Sequence, residues 1–239
     1  MIKKLENKIA LVSGASQGIG RAAARLFAEN GAEVFCCARS LEKLENLRNE
    51  LAQNGAKIHI KKTDLGKSSE IAGLFEFILE KTDHLDTVVN SAGTFAKGRI
   101  DQLDEQAFDR VININLKAPF LICKFAIPLL AKSRGGTIVN ISSLSGCFGL
   151  QKFEGFGAYD ISKYGLWGLT EILDVELKDT NIRVNQVSPG GVDTDMFYAA
   201  NGSDATPGLT PEDVANTILY LASDESAPLS GENLKLFGK

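Results

Sequence analysis

Proline is scarce in this chain, six residues in 239. No stretch clusters Pro, Gly and Ser as a linker does, and neither a low-complexity block nor an internal repeat is present, so one domain over residues 1–239 is expected. Cysteine is sparse too. Cys36, Cys37, Cys123 and Cys147 form no C-x-x-C pair, and His59 and His84 lie far from any cysteine cluster. That spacing offers no zinc or other metal site, and a chain this long needs no disulfide framework. The thiols read as free, buried groups in a reducing compartment. Charge of one sign is also lacking. Lys and Arg number 26 against 30 Asp and Glu, a net charge of −4, so nothing here draws in nucleic acid or an anionic membrane. No apolar run reaches the ~18 residues of a bilayer span. The first apolar piece, Ile9–Val12, is too short for a signal-peptide core. The expected location is the cytoplasm.

What is present is an alternation. Short apolar runs predict strands at Ile9–Ser13, Glu33–Cys37, Lys57–Lys61, Thr87–Asn90, Thr137–Ile141, Arg183–Val187 and Asn233–Phe237. Their apolar residues fall on consecutive positions, as in strands covered on both faces. Helical periods between them predict helices over Arg21–Asn30, Glu42–Asn54, Ser68–Lys81, Asp104–Lys132, Tyr159–Lys178 and Pro211–Ser223. Leu41, Leu44, Leu47 and Leu51 make one stripe. Thr210-Pro211-Glu212-Asp213 is a helix start, with a capping hydroxyl, proline at the first position and acids in the first turn. The pattern implies an α/β fold: a doubly wound, Rossmann-type parallel sheet of about seven strands with helices on both faces.

The first strand runs into SGASQGIG, with Gly14, Gly18 and Gly20 ahead of an alanine-rich helix. Such a turn brings backbone close to a pyrophosphate at a helix N-terminus, whose unpaired N–H groups favour an anion. The second strand ends in Ala38-Arg39-Ser40, without the acid that would bind ribose hydroxyls. Arg39 can grip a 2′-phosphate with its planar fork, or can simply be a surface residue beside a helix cap. NADP is the expected cofactor, with NAD the alternative.

Further motifs follow in order: Asn90-Ser91-Ala92-Gly93, Asn115, Ser142-Ser143, Tyr159-x-x-x-Lys163 and Pro189-Gly190-Gly191-Val192-Asp193-Thr194. With the glycine turn they resemble the short-chain dehydrogenase/reductase family over about residues 7–237. The motif wording is most similar to 3-oxoacyl-carrier-protein reductases and related carbonyl reductases. The resemblance implies a hydride-transfer enzyme that interconverts a carbonyl and an alcohol, a small-molecule substrate, and a homodimer or homotetramer. It implies that Tyr159 is the general acid/base, Lys163 its partner, Ser143 the group that orients the carbonyl, and Asn115 the holder of a relay water. Ser16, Gln17 and Ile19 join the glycines at the phosphates. Asp64 and Leu65 meet the adenine edge, Asn90, Ala92 and Gly93 the adenosine ribose, and Pro189, Gly190, Val192 and Thr194 the nicotinamide side.

Elementary chemistry agrees with those roles. A carbonyl that accepts hydride needs a proton donor within reach. A tyrosine pKa of about 10 is high for that work, and Lys163 shares a helix face with Tyr159 and is expected to lower it. Two features depart from the resemblance. The run from Ser143 to Tyr159 is longer than usual and carries Phe148, Phe153 and Phe156 among glycines. It either walls the substrate with Phe153 and Phe156 or packs as ordinary core. The segment after Thr194 is a short, turn-rich lid near 194–210, expected to be mobile, with Met196 and Phe197 facing substrate. The D-G-G tail of many relatives is absent. The apolar segments Pro119–Leu130 and Gly165–Leu177 suit buried or subunit-facing helices.

Overall fold

The computed structural model describes residues 3–53 and 55–238. Asn54, the predicted end of the second helix, and the predicted domain limits Met1 and Lys239 lie outside the described residues. Seven parallel strands run in the order β3-β2-β1-β4-β5-β6-β7. They are β1 (Ile9–Ser13), β2 (Glu33–Ala38), β3 (Ile58–Lys62), β4 (Thr87–Asn90), β5 (Gly136–Ile141), β6 (Ile182–Pro189) and β7 (Asn233–Leu236). Each lies where its apolar run predicts, within one or two residues at the ends.

The helices divide between the two faces. On one face, α1 (Gly18–Glu29), α2 (Leu41–Ala52) and α8 (Pro211–Ala222) cover Ala10 and Val12 of β1. On the other, α3 (Ser68–Leu79), α5 (Ala118–Leu130) and α6 (Gly157–Glu176) cover Leu11. Successive β1 residues thus feed opposite cores, which is why the run has no polar alternation. Leu44, Leu47 and Leu51 of α2 are buried, but Leu41, expected on the same stripe, is 41% exposed at the first turn.

The predicted Asp104–Lys132 helix is a composite. Asp104 accepts from the Ala107 N–H (2.8 Å) and opens α4 (Glu105–Ile112). A π-helical turn, Asn113–Lys117, joins it to α5. The run Glu105–Leu130 reaches a mean hydropathy of 1.3 over an 18-residue window. Here it serves as a core element, packed on β4, β5, α3 and α6. The expected lid contains a further helix, α7 (Asp195–Asn201). Thr194 caps it by accepting from the Phe197 N–H, and Asp195 stands in its first turn. A bridge between Val192 and Leu209 closes the segment at its base.

Arg183 on β6 joins the last third of the fold. Its guanidinium donates to the carbonyls of Leu221 and Ser223 at the end of α8 (3.2 and 3.3 Å) and to those of Ser226 and Leu229 (3.0 and 3.2 Å). It also reaches the Thr137 hydroxyl (3.2 Å) and the Ser226 hydroxyl (3.0 Å). A cation here satisfies carbonyls that the helix end leaves unpaired. Arg183→Ala is expected to lower the unfolding free energy by about 3 kcal/mol, measured by urea denaturation. A change below about 0.5 kcal/mol, the range of ordinary surface substitutions, would show that the network is dispensable.

Candidate functional site

A cleft of about 620 Å³ opens along the C-terminal edge of the sheet. It crosses the point where the strand order reverses between β1 and β4, the usual ligand crevice of doubly wound sheets. At one end lies the glycine turn. Gly14 holds φ +71°, and a Cβ there would stand 2.8 Å from the Ala92 backbone. A Cβ on Gly20 would stand 2.8 Å from the Gly14 carbonyl carbon. The turn therefore folds onto both the β4 loop and the start of α1. No side chain caps α1, and its first turn has no acid, so its N–H groups stay available to an anion. A backbone cradle that any side chain would fill, at an uncapped helix start, fits a dinucleotide pyrophosphate.

Ser16, Gln17, Gly18, Ile19 and Gly20 line this end, and Arg39, Ser40, Asp64 and Leu65 line the rim beyond it. Arg39 is exposed, and no ion pair to it occurs among the described residues. Lys43, which the sequence reading missed, stands in the first turn of α2 and lines the same rim. Its ammonium donates to Gln17 (2.5 Å). A second cation close behind Arg39 after β2 was the available signal. Ala92, Gly93, Pro189, Gly190, Val192 and Thr194 line the middle of the cleft. Asn90 does not. It is 1% exposed, and its amide donates to Asn140 on β5 (2.8 Å). Its side chain is turned to the neighbouring strand and does not line the cleft.

Ser143, Tyr159 and Lys163 converge midway along the cleft. The strand β5 ends at Ile141, and the turn Leu144–Gly146 follows Ser143. This turn lies against α6 so closely that a Cβ on Gly146 would be 2.7 Å from the Lys163 backbone. Ser142 donates to the Lys163 carbonyl (3.2 Å), and the Lys163 ammonium donates to the Ile141 carbonyl (2.8 Å). Ser143 accepts from the Ser145 N–H (3.1 Å), which leaves its own proton free to donate.

The Lys163 ammonium lies 5.6 Å from the Tyr159 ring centroid. Burial pushes Tyr159 up to about 12, with the Ser143 hydroxyl opposing the rise and the Asp160 charge adding to it. Burial also drives Lys163 down to about 8. The expected lowering of the tyrosine by its lysine is therefore not seen: desolvation raises it, and the one opposing group is Ser143. Asn115 is fully buried in the π turn, outside the cleft wall. Its amide donates to the Thr94 carbonyl (2.9 Å) and the Ser162 hydroxyl (3.0 Å) and accepts from the Thr94 N–H (2.8 Å). Both side-chain N–H groups thus have protein acceptors. Through Ser162, which donates to the Tyr159 carbonyl (2.7 Å), Asn115 holds the start of α6 in place.

Phe153, Phe156, Met196 and Phe197 line the far end. Phe148 does not. It is 93% exposed, since its loop projects outward. Phe95 also lines this end and was missed. The sequence held no signal for it beyond its place two residues after Gly93.

A family model of the short chain dehydrogenase matches residues 8–204. A 3-oxoacyl-[acyl-carrier-protein] reductase of Thermotoga maritima is 34% identical over 98% of both chains. A solved short chain dehydrogenase of Salmonella enterica is 32% identical with a TM-score of 0.92, covering 98% of each chain. A second, from Shigella flexneri and complexed with NADP, is 31% identical with a TM-score of 0.91. It covers 98% of this chain and 99% of its own.

The depressed Lys163 has a consequence for stability. Between about 8 and the ordinary lysine value the unfolded chain binds more protons than the native one, so stability rises with pH across that window. Below it, the desolvation cost is fully present. Lys163→Met removes the cost, and its melting temperature relative to the wild type should be highest near pH 7. That difference should shrink as the pH rises from about 8 to about 10. Parallel melting curves across that range would mean that no buried ammonium titrates there.

Proposed function

The chain belongs to the short-chain dehydrogenase family of oxidoreductases, which act on CH–OH and C=O groups, and on that premise we propose that it is an NADPH-preferring carbonyl reductase. The observation that carries the reading is the convergence of Ser143, Tyr159 and Lys163 on the cleft that holds the glycine turn. When bound, the nicotinamide supplies a hydride to the carbonyl carbon. The chain's own residues do the rest. Ser143 donates a hydrogen bond to the carbonyl oxygen and aligns it. Tyr159, kept protonated by its raised pKa, donates its proton to that oxygen as negative charge develops there. The Lys163 ammonium stabilises the phenolate left behind and holds the proton that restores it. Asn115 is a positioning residue for Tyr159.

Several features support the preference for NADPH. Arg39 and Lys43 put two cations beside the end of β2, where no acid stands, and a relative of the same fold is complexed with NADP. A 2′-phosphate is the group such a pair recognises. The exposed apolar residues Phe108, Phe120, Ile161 and Ile172 on α4, α5 and α6 support a homodimer or homotetramer. A cytoplasmic location belongs to the same reading.

Tyr159→Phe should abolish turnover of carbonyl substrates and leave NADPH binding within about twofold. Retention of near-normal rates would remove Tyr159 from its role. Initial rates should favour NADPH over NADH, and Arg39→Ala should erode that preference about tenfold. A wild-type preference for NADH defeats the cofactor assignment. The reduction rate should fall above about pH 8 as Lys163 loses its proton, read as the alkaline limb of kcat/KM.

A further inference from the structure

Among the described residues, four charged side chains line the cleft: Arg39, Lys43, Asp64 and Lys163. Arg39 and Asp64 follow β2 and β3, and Lys43 stands in the first turn of α2, all beyond the glycine turn. Lys163 turns its ammonium to the Ile141 carbonyl. Among the described residues the far end therefore has no charge of its own, and the cations nearby have protein partners. Lys97 donates to the Ala200 carbonyl at the end of α7 (3.3 Å). Arg99 pairs with Glu154 (2.6 Å) and Asp101 (3.2 Å). Lys152 donates to the carbonyls of Ser145 (2.6 Å) and Cys147 (2.9 Å).

Beside the neutral amides of Gln151 and Asn201, that end is lined by a chain of aromatic rings leading away from Tyr159. Phe95 meets Tyr159 edge-on at 5.5 Å and 67°, and meets Phe156 at 4.7 Å and 65°. Phe156 in turn meets Phe153 at 5.7 Å and 51°. Met196 of α7 adds a sulfur to the same space. The Gly98 N–H donates to the Gly155 carbonyl (2.9 Å). With the Lys97 and Arg99 contacts, this ties the Phe95 loop, the long pre-tyrosine segment and α7 into one wall.

We propose that the substrate is a neutral carbonyl compound carrying an aromatic ring, and that Phe95 determines this specificity. The proposal rests on the carbonyl-reductase reading. A ring placed a few atoms from the carbonyl gains edge-to-face contacts with Phe95 and Phe156, beyond what its buried area supplies. An anionic group at the same place is stripped of water without a counter-ion. Phosphorylated sugars and keto acids are excluded on that ground.

The test uses 4-phenyl-2-butanone, 4-cyclohexyl-2-butanone and 4-(4-carboxyphenyl)-2-butanone, whose carbonyls are unconjugated and so have the same intrinsic reactivity. With NADPH, kcat/KM should favour phenyl over cyclohexyl about fivefold and over the carboxylate about a hundredfold. Phe95→Leu should bring the phenyl-to-cyclohexyl ratio close to one. Equal efficiency for the carboxylate, a ratio unmoved in Phe95→Leu, or higher efficiency on acetoacetyl-coenzyme A overturns the proposal. Calorimetry on Tyr159→Phe with NADPH bound separates the two readings. If phenylbutanone binds there more tightly than its carboxylate while the wild type turns over no carbonyl, the reductase reading fails and the aromatic site stands. If the ketone does not bind, or the carboxylate binds equally well, the aromatic site is refuted.

Discussion

The candidate site depends on a buried lysine that, among the described residues, has no carboxylate partner. Lys163 is 4% exposed, and a main-chain carbonyl is the only acceptor its ammonium reaches among the described residues. Burying a cation this way is expensive, and it is tolerated because β5 and α6 approach each other so closely. Gly146 permits that approach, and the Ser142 hydroxyl joins strand to helix on the far side of the same residue. The positions of Ser143 and Tyr159 follow from it, since one leaves β5 and the other enters α6 at this junction. A looser junction would admit water, return the lysine to its ordinary pKa and lose the alignment of the two hydroxyls.

The same economy of space operates at the glycine turn. Gly14 packs on Ala92, and Gly20 packs on Gly14. The glycine turn and the loop after β4 are thus one packed unit, joined by the Ser13 hydroxyl, which accepts from the Ser91 and Ala92 N–H groups. Asn115 performs the corresponding work on the other side, joining Thr94 to Ser162 and so to Tyr159. Asn115 acts by fixing the backbone that carries the proposed reacting groups, its position in the π turn leaving both ends of its amide satisfied inside the protein. Asn90 donates its amide N–H to Asn140, and its amide oxygen is buried without a protein partner among the described residues.

Strands and most helices were legible because a sheet covered on both faces writes consecutive apolar residues into the chain. Their ends moved by one to three residues, where caps such as Asp104 and the neighbouring strands decide the boundary. Helix α7 was missed because its seven residues, Asp195–Asn201, are too few to show a period. The π turn was missed because NINLK carries no local mark of it. Leu41 was misplaced because a stripe of leucines does not reveal where the neighbouring core stops. Arg183, read only as the start of a strand, ties α8 to the sheet through acceptors 38 to 46 residues away.

The sequence by itself determined the fold class and where the glycine turn, Ser143, Tyr159 and Lys163 sit along the strands and helices, since each depends on residue types at short, fixed spacings beside a strand or helix end. Tertiary structure alone decided the rest. It turned Asn90 and Asn115 away from the cleft and sent Phe148 outward. It raised Tyr159 and lowered Lys163, because desolvation depends on what surrounds a group and not on its neighbour four residues along. It also brought Phe95 to Phe156, 61 residues apart in the chain, to meet at 4.7 Å. Contacts of that span belong to the packing of whole elements, and no local pattern encodes them.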